Sequence, residues 1–334
     1  MEKTPQEKFA EIVSEIKALA PELRKLCDAA RRFLTTPAPA EHAMQIQYFY
    51  QQILAYSMLR LRHFIEHNLI NTTYIETMAT LAVCRYTFEL VVWVKLMEKD
   101  HRFALIFNRE SIRGSIDNLN ENISLLENER SFYTSQADTE SNLHQKAIDE
   151  IIASDTSTEE IGTAIALRMG QISDYLDKAL NSKVLRYYED IAQNGYGYVA
   201  SFIEKEALPP IQSDLEIAKS QLKGFDRNWQ CYLEQLNNDR GNEIKDLHRN
   251  PKKVENMTWK ARAQFVGLEA DYDFIYSYTS RLLHATPSSL MTLEQNLRED
   301  EFLTFWRYIR NQFRWVADVG SGVFSVLEKS DEFH

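Results

Sequence analysis

The sequence predicts an all-α protein, a multi-helix bundle of about ten helices. Three observations carry this. The 334 residues include only 10 Gly and 8 Pro, so turns are few and elements long. Long elements poor in both are helices. Capping signals divide the chain into apolar stretches of helical length, and no β-hairpin signal, strict alternation or repeat period appears. With 44% apolar residues, 16 Tyr, 17 Phe and 5 Trp, the chain can fill a sizeable core.

The elements are set by their caps. Thr4-Pro5-Gln6-Glu7 combines an N-cap Thr, a first-turn Pro and an N3 Glu, which starts a helix expected to run to about Phe33. Residues 1–36 are therefore expected as an N-terminal helix, with a helical domain over 42–328 beyond the Pro/Ala linker at 35–42. A long helix from about His42 to Leu69 comes next. Thr73-Tyr74-Ile75-Glu76 is a second capping box, and it opens the most apolar helix, about 77–97. Residues 108–160 are rich in Asn, Glu, Ser and Asp, and read as a polar, partly helical surface insertion.

Ser157 caps a helix to about Leu180, and a Tyr-rich helix over 184–206 is expected to stop before Pro209-Pro210. A further helix, 210–223, should end at Gly224, with Asp226 capping the next. The charged stretch 237–257 contains Pro251 and reads as a loop. Thr258 caps a helix through Phe265, Gly267 interrupts it, and another helix covers about 269–284. Thr286-Pro287 starts a short helix. The last long helix spans about 299–319 and can continue to Leu327.

The formal net charge of −11 argues against broad nonspecific nucleic-acid binding but leaves room for a local basic groove. Cys27, Cys84 and Cys231 are far apart, so neither a disulfide framework nor a cysteine zinc site is expected. The N-terminus lacks a signal-peptide pattern. The segment Met78 to Met97, the nearest to a membrane span, is broken by Arg85, Glu89 and Lys95. The expectation is a cytoplasmic protein with no membrane contact and no cofactor.

The site candidates are polar side chains where an amphipathic helix would be apolar. Tyr272, Tyr276, Ser280 and His284 recur every four residues, one stripe down an α-helix, with Arg281 beside the histidine. Buried hydroxyls must find partners, because each unsatisfied one costs roughly 1–3 kcal/mol. The stripe therefore forms an internal network, lines a pocket or faces solvent. Arg85 and Glu89 stand four apart inside the most apolar helix, either as a structural ion pair or, near His284, as an anion-binding group.

His63-Phe64-Ile65-Glu66-His67 spells an inverted zinc-peptidase motif, but nothing specifies a third ligand, so it is only a weak metal candidate. Arg307, Arg310 and Arg314 share a face of the last helix beside Trp306 and Trp315. Lys252 and Lys253 lie in the charged loop. Both sets are candidates for RNA contacts, and such runs are more usually solvated faces. Gly-rich phosphate loops and nucleophile elbows are absent.

The Arg85-x3-Glu89 helix, joined much later by Trp259, Gly267-Leu268 and Tyr272-x3-Tyr276-x3-Ser280-x3-His284, resembles a family of uncharacterised bacterial helical proteins. That family is distantly similar to HEPN domains, the helical domains of prokaryotic defence and toxin–antitoxin ribonucleases. The resemblance covers about 45–105 and 225–295. It implies a HEPN-like core and a metal-independent RNA-cleaving site, usually at a dimer interface. His284 would be the general acid or base, Arg281 or Arg85 would stabilise the phosphate, and Tyr276 and Ser280 would orient the histidine or the RNA.

The sequence departs from the HEPN pattern in one respect. Arg281 and His284 are separated by two residues rather than four to six, and no histidine stands after Arg310-Asn311 at that distance. Three readings stay open. The first is an RNA-cleaving or RNA-binding protein of a defence or toxin system. The second is a noncatalytic helical module that senses a ligand or binds a partner protein or a second copy. The third, well behind, is a metalloenzyme using His63, Glu66 and His67.

Overall fold

The computed structural model describes residues 3–35, 37, 42–69, 77–154, 158–183, 195–236, 256–279 and 297–331. These residues are helical with no strand among them. They fall into two compact units, residues 1–110 with 228–334, and residues 111–227.

In the first unit the capping box at Thr4 is formed on both sides: Thr4 Oγ1 accepts from the Glu7 N–H, and the Glu7 carboxylate accepts from the Thr4 N–H at 2.7 Å. The helix it starts, α1 (Pro5–Lys17), stops at Ala18, and α2 (Ala20–Thr35) begins afresh. The sequence suggested one continuous helix here. The break lets both segments turn apolar residues inward, Ile12 and Ile16 from one and Leu23 and Cys27 from the other. Next come α3 (His42–Phe64), running into a π-helical turn at Ile65–Leu69, and α4 (Thr77–Lys99).

Helix α4 is the centre of this core. Leu81, Cys84, Phe88, Val91, Val92 and Leu96 are all buried along it. It is the one described helix long and apolar enough to cross a membrane, yet over half of that stretch is buried inside the protein, as a core helix requires. Helix α10 (Glu299–Asp331), the last in the chain, packs along α4, α1, α2 and α3. It buries Phe305, Trp306, Ile309, Phe313 and Phe324. The Trp306 indole N–H donates to Thr80 Oγ1 at 3.2 Å, which removes the cost of burying it. At Gly320 a Cβ would stand 2.6 Å from Met58 Sδ, so glycine is what lets α10 approach α3 this closely. The sequence allowed this helix to pass both glycines, and it does.

The second unit has its own smaller core. Helix α5 (Phe103–Ile152) is a single 50-residue helix, about 75 Å of rise at 1.5 Å per residue. Its residues beyond Glu110 belong to this unit. The stretch 108–160 was expected to be only partly helical; its described residues up to Ile152 are helical throughout. Leu126, Tyr133 and Ala147 are its buried apolar positions. Its polar composition hid them, because they are too sparse to register as a stripe. Helix α6 (Thr158–Lys183) adds Ile172 and Leu176, and α7 (Tyr196–Phe202) adds Val199 and Ala200. The Tyr196 hydroxyl donates to Asp177 at 2.6 Å.

The prolines at 209–210 do not end a helix. A π-helical turn, Ile203–Ala207, joins α7 to α8 (Leu208–Leu236), and both prolines sit in the first turn of α8, where a missing N–H is tolerated. Gly224 likewise lies inside α8 and breaks nothing.

Candidate functional site

The site is built where α4 meets two short segments of the same unit, α9 (Trp259–Phe265) and the turn after it. Thr258 caps α9 by accepting from the Ala261 N–H at 3.2 Å. The chain then reverses at Gly267, whose φ of +76° suits glycine and strains other residues. A helical turn at Glu269–Asp271 opens directly into a π-helix over Tyr272–Tyr276. The even four-residue spacing of the stripe was expected to lie on an α-helix. Instead the first two members span a π turn, in which the Ser277 N–H bonds back five residues to the Tyr272 carbonyl.

This turn carries Tyr272 and Tyr276 onto α4 as a stacked pair, ring centres 4.9 Å apart and planes 16° from parallel. Phe88 lies beneath both, at 6.3 and 6.0 Å. Arg85 Nη2 donates to the Tyr276 hydroxyl at 3.1 Å, and Arg85 Nε donates to Glu89 at 3.0 Å. The two motifs, 191 residues apart in sequence, therefore meet. Burial pushes the Tyr276 phenol above its ordinary range, with Arg85 opposing, so the hydroxyl is held protonated. Arg85 remains 25% exposed and Glu89 31% exposed. Of the five N–H donors of the guanidinium, two are committed among the described residues.

Further along α4 stands Trp93, and a second arginine site is built on it. Arg262 Cζ lies 4.4 Å from the centre of the Trp93 ring and 5.5 Å from that of Trp259, and both terminal nitrogens of Arg262 bond to the Glu110 carboxylate. Trp259 in turn lies 6.0 Å from Tyr276. Arg262 was not singled out from the sequence, nor were Glu110 and Trp93 as its partners. The available signal was Trp259-x-x-Arg262 on one helix face, together with Trp93 four residues after Glu89.

Ser280, Arg281 and His284 lie outside the described residues, as do Lys252 and Lys253. On α10, Arg310 ties α1 to α10 through Glu15 at 2.8 Å and is not a spare cation. Arg307 and Arg314 are exposed, while Trp306 beside Arg307 in sequence is core. Glu66, expected as part of a weak metal candidate, instead accepts from Arg24 at 2.9 Å and Arg62 at 3.0 Å. These arginines, Arg24 first, hold its carboxyl below the usual range. The exposed rings of His63 and His67 stand 4.4 Å apart. No group of three or more metal-ligating side chains occurs among the described residues.

The arrangement is a half-open polar and aromatic surface in which Arg85, ion-paired to Glu89, commits two of its donors among the described residues and aromatic rings flank it. No protein-family profile, curated protein or solved structure matches this chain.

Proposed function

We propose that the protein binds RNA at the Arg85–Tyr276 surface and cleaves it without a metal, as a cytoplasmic component of a prokaryotic defence or toxin system. One observation carries the reading: Arg85 on α4 bonds to Tyr276, the residue that leads in sequence to Ser280, Arg281 and His284. Arg85 binds a phosphate and offsets the charge that develops on it. His284 takes the proton of the 2′-hydroxyl as its oxygen attacks the adjacent phosphorus, and a proton returns to the departing 5′-oxygen. Ser280 and Arg281 orient the strand, with RNA as the partner and a second copy of the chain as the expected companion at the site.

The test is cleavage of a labelled single-stranded RNA in EDTA by the wild-type, His284→Ala and Arg85→Gln proteins. Cleavage leaving 2′,3′-cyclic phosphate ends, abolished in His284→Ala at unchanged melting temperature, is the expected result. Equal cleavage by wild type and His284→Ala sinks the mechanism.

A second reading has its own support. Arg85, Glu89, Tyr272 and Tyr276 already engage one another, which fits a noncatalytic module for a ligand or partner protein. Binding of RNA without cleavage, or of neither, favours that reading.

A further inference from the structure

At the C-terminal end of α4, ten residues past Arg85, an open cavity of about 700 Å³ is lined by Lys95, Glu98, Lys99 and the backbone reversal from Gln264 to Gly267. Its size falls within the range of small-molecule sites. Lys95 is half-buried, with its ammonium 4.2 Å from the centre of the Trp315 ring. Neither a hydrogen bond nor an ion pair holds that ammonium among the described residues, so three donors stand in a fixed position without acceptors. Lys99, one turn on, is anchored by a 2.9 Å hydrogen bond to the Phe265 carbonyl and sits over the Phe265 ring at 4.2 Å. It brings a second positive charge to the same wall. Two acids face Lys95: Glu98, which also lines the cavity, and Asp271. Burial pushes both carboxyls up, and Lys95 works against it.

We propose that this cavity binds a ribose phosphate. The two ammonium groups receive the phosphate, and the Glu98 carboxylate accepts from the sugar hydroxyls, a pairing that inorganic phosphate alone cannot make. The lysine pair favours an anion, and the acid beside it favours one that also carries hydrogen-bond donors. The ribose phosphate can come from a free nucleotide or from the phosphorylated end of an RNA. The proposal stands apart from cleavage at His284.

The experiment is calorimetric titration of the full-length protein with inorganic phosphate, ribose 5-phosphate, AMP and a 5′-phosphorylated tetraribonucleotide. Lys95→Met and Glu98→Gln proteins serve as variants, each first checked by melting. Ribose 5-phosphate is expected to bind about tenfold tighter than inorganic phosphate. Lys95→Met is expected to weaken it by about tenfold or more, and Glu98→Gln to erase the preference over inorganic phosphate. Saturation by AMP that is weakened in Lys95→Met assigns the site to free nucleotides, and saturation by the tetranucleotide alone, likewise weakened in Lys95→Met, assigns it to RNA ends. No saturation by any of the sugar phosphates overturns the proposal. So does unchanged affinity in both Lys95→Met and Glu98→Gln.

Discussion

Two arginines lie along the α4 side of the site, and their surroundings differ in a way that separates structure from function. Arg262 is 8% exposed, clasped by both oxygens of Glu110 and set against Trp93 and Trp259. Arg85 is 25% exposed, makes one bond to Glu89 and one to Tyr276, and lies 4.6 Å from the centre of the Tyr276 ring. A guanidinium whose two terminal nitrogens are both held by one carboxylate has its strongest interactions already satisfied. One with donors to spare and a route to solvent can take a ligand. A buried arginine that packs against two tryptophans is costly to remove, whereas a half-exposed ion pair contributes little to stability.

The sharpest way to break this comparison is to remove the buried arginine. Arg262→Ala should cost about 2 kcal/mol in urea denaturation, because two tryptophans lose their packing and the part-exposed Glu110 loses its bidentate partner. A cost below about 1 kcal/mol would show that the pair is not structural.

Phe88→Leu tests the floor beneath the tyrosine pair. A loss of about 1–2 kcal/mol, from shrinking a fully buried ring, should come with altered near-ultraviolet circular dichroism as the Tyr272–Tyr276 stack loosens. Arg85→Gln should behave in the opposite way, with a stability change under about 1 kcal/mol and RNA binding weakened by about tenfold or more. If Arg85→Gln unfolds the protein while binding survives, the roles given to the two arginines are reversed.

Alkaline titration probes the buried phenols. Burial raises Tyr50 to about 12 and raises Tyr276 and Tyr308 as well. In the folded state these phenols hold their protons after an unfolded chain has lost them. The unfolded state then binds fewer protons, so stability is fully present below about pH 10 and falls as pH rises toward 12. Phenolate absorbance should show late-titrating tyrosines in the native protein. If every tyrosine titrates near pH 10, the burial argument fails. The smallest effect belongs to the Arg85–Tyr276 bond. A double-mutant cycle with Arg85→Gln and Tyr276→Phe should give a coupling of about 0.5–1 kcal/mol.

How much of the fold is legible in the sequence depends on how local each signal is. Caps at Thr4 and Thr258, the reversal at Gly267 and the apolar run of α4 depend on neighbours within a turn or two, and each was legible. The break between α1 and α2 was missed although Pro21 marks it: Pro21 has no N–H for the Lys17 carbonyl and stands in the first turn of α2. Pro209-Pro210 misled in another way. A proline pair reads as a stop, yet a π turn before it converts the same residues into a helix start.

The Arg85–Glu89 pair and the two tyrosines could each be singled out as anomalies, and their meeting could be posed as a question. Chain positions 191 apart leave no local trace of which partner each takes. Glu110 and Arg262 were invisible for the same reason, since each looks like an ordinary surface residue until the tryptophans are placed beside it.

The π turn at Tyr272–Tyr276 also sets how this region tolerates changes in chain length. A turn closed by a five-residue bond holds one residue more than an α-helical turn. Removing a single residue there, such as the exposed Asp273, would let the segment relax to ordinary α geometry with the flanking turns close to their present phase, but would leave Tyr272 and Tyr276 three residues apart instead of four. A point substitution at the same position touches one side chain. The deletion changes the spacing of the two rings, so Tyr272 and Tyr276 could no longer both keep their places on α4. Length at this turn is thus as much a part of the site's specification as the identity of any residue in it.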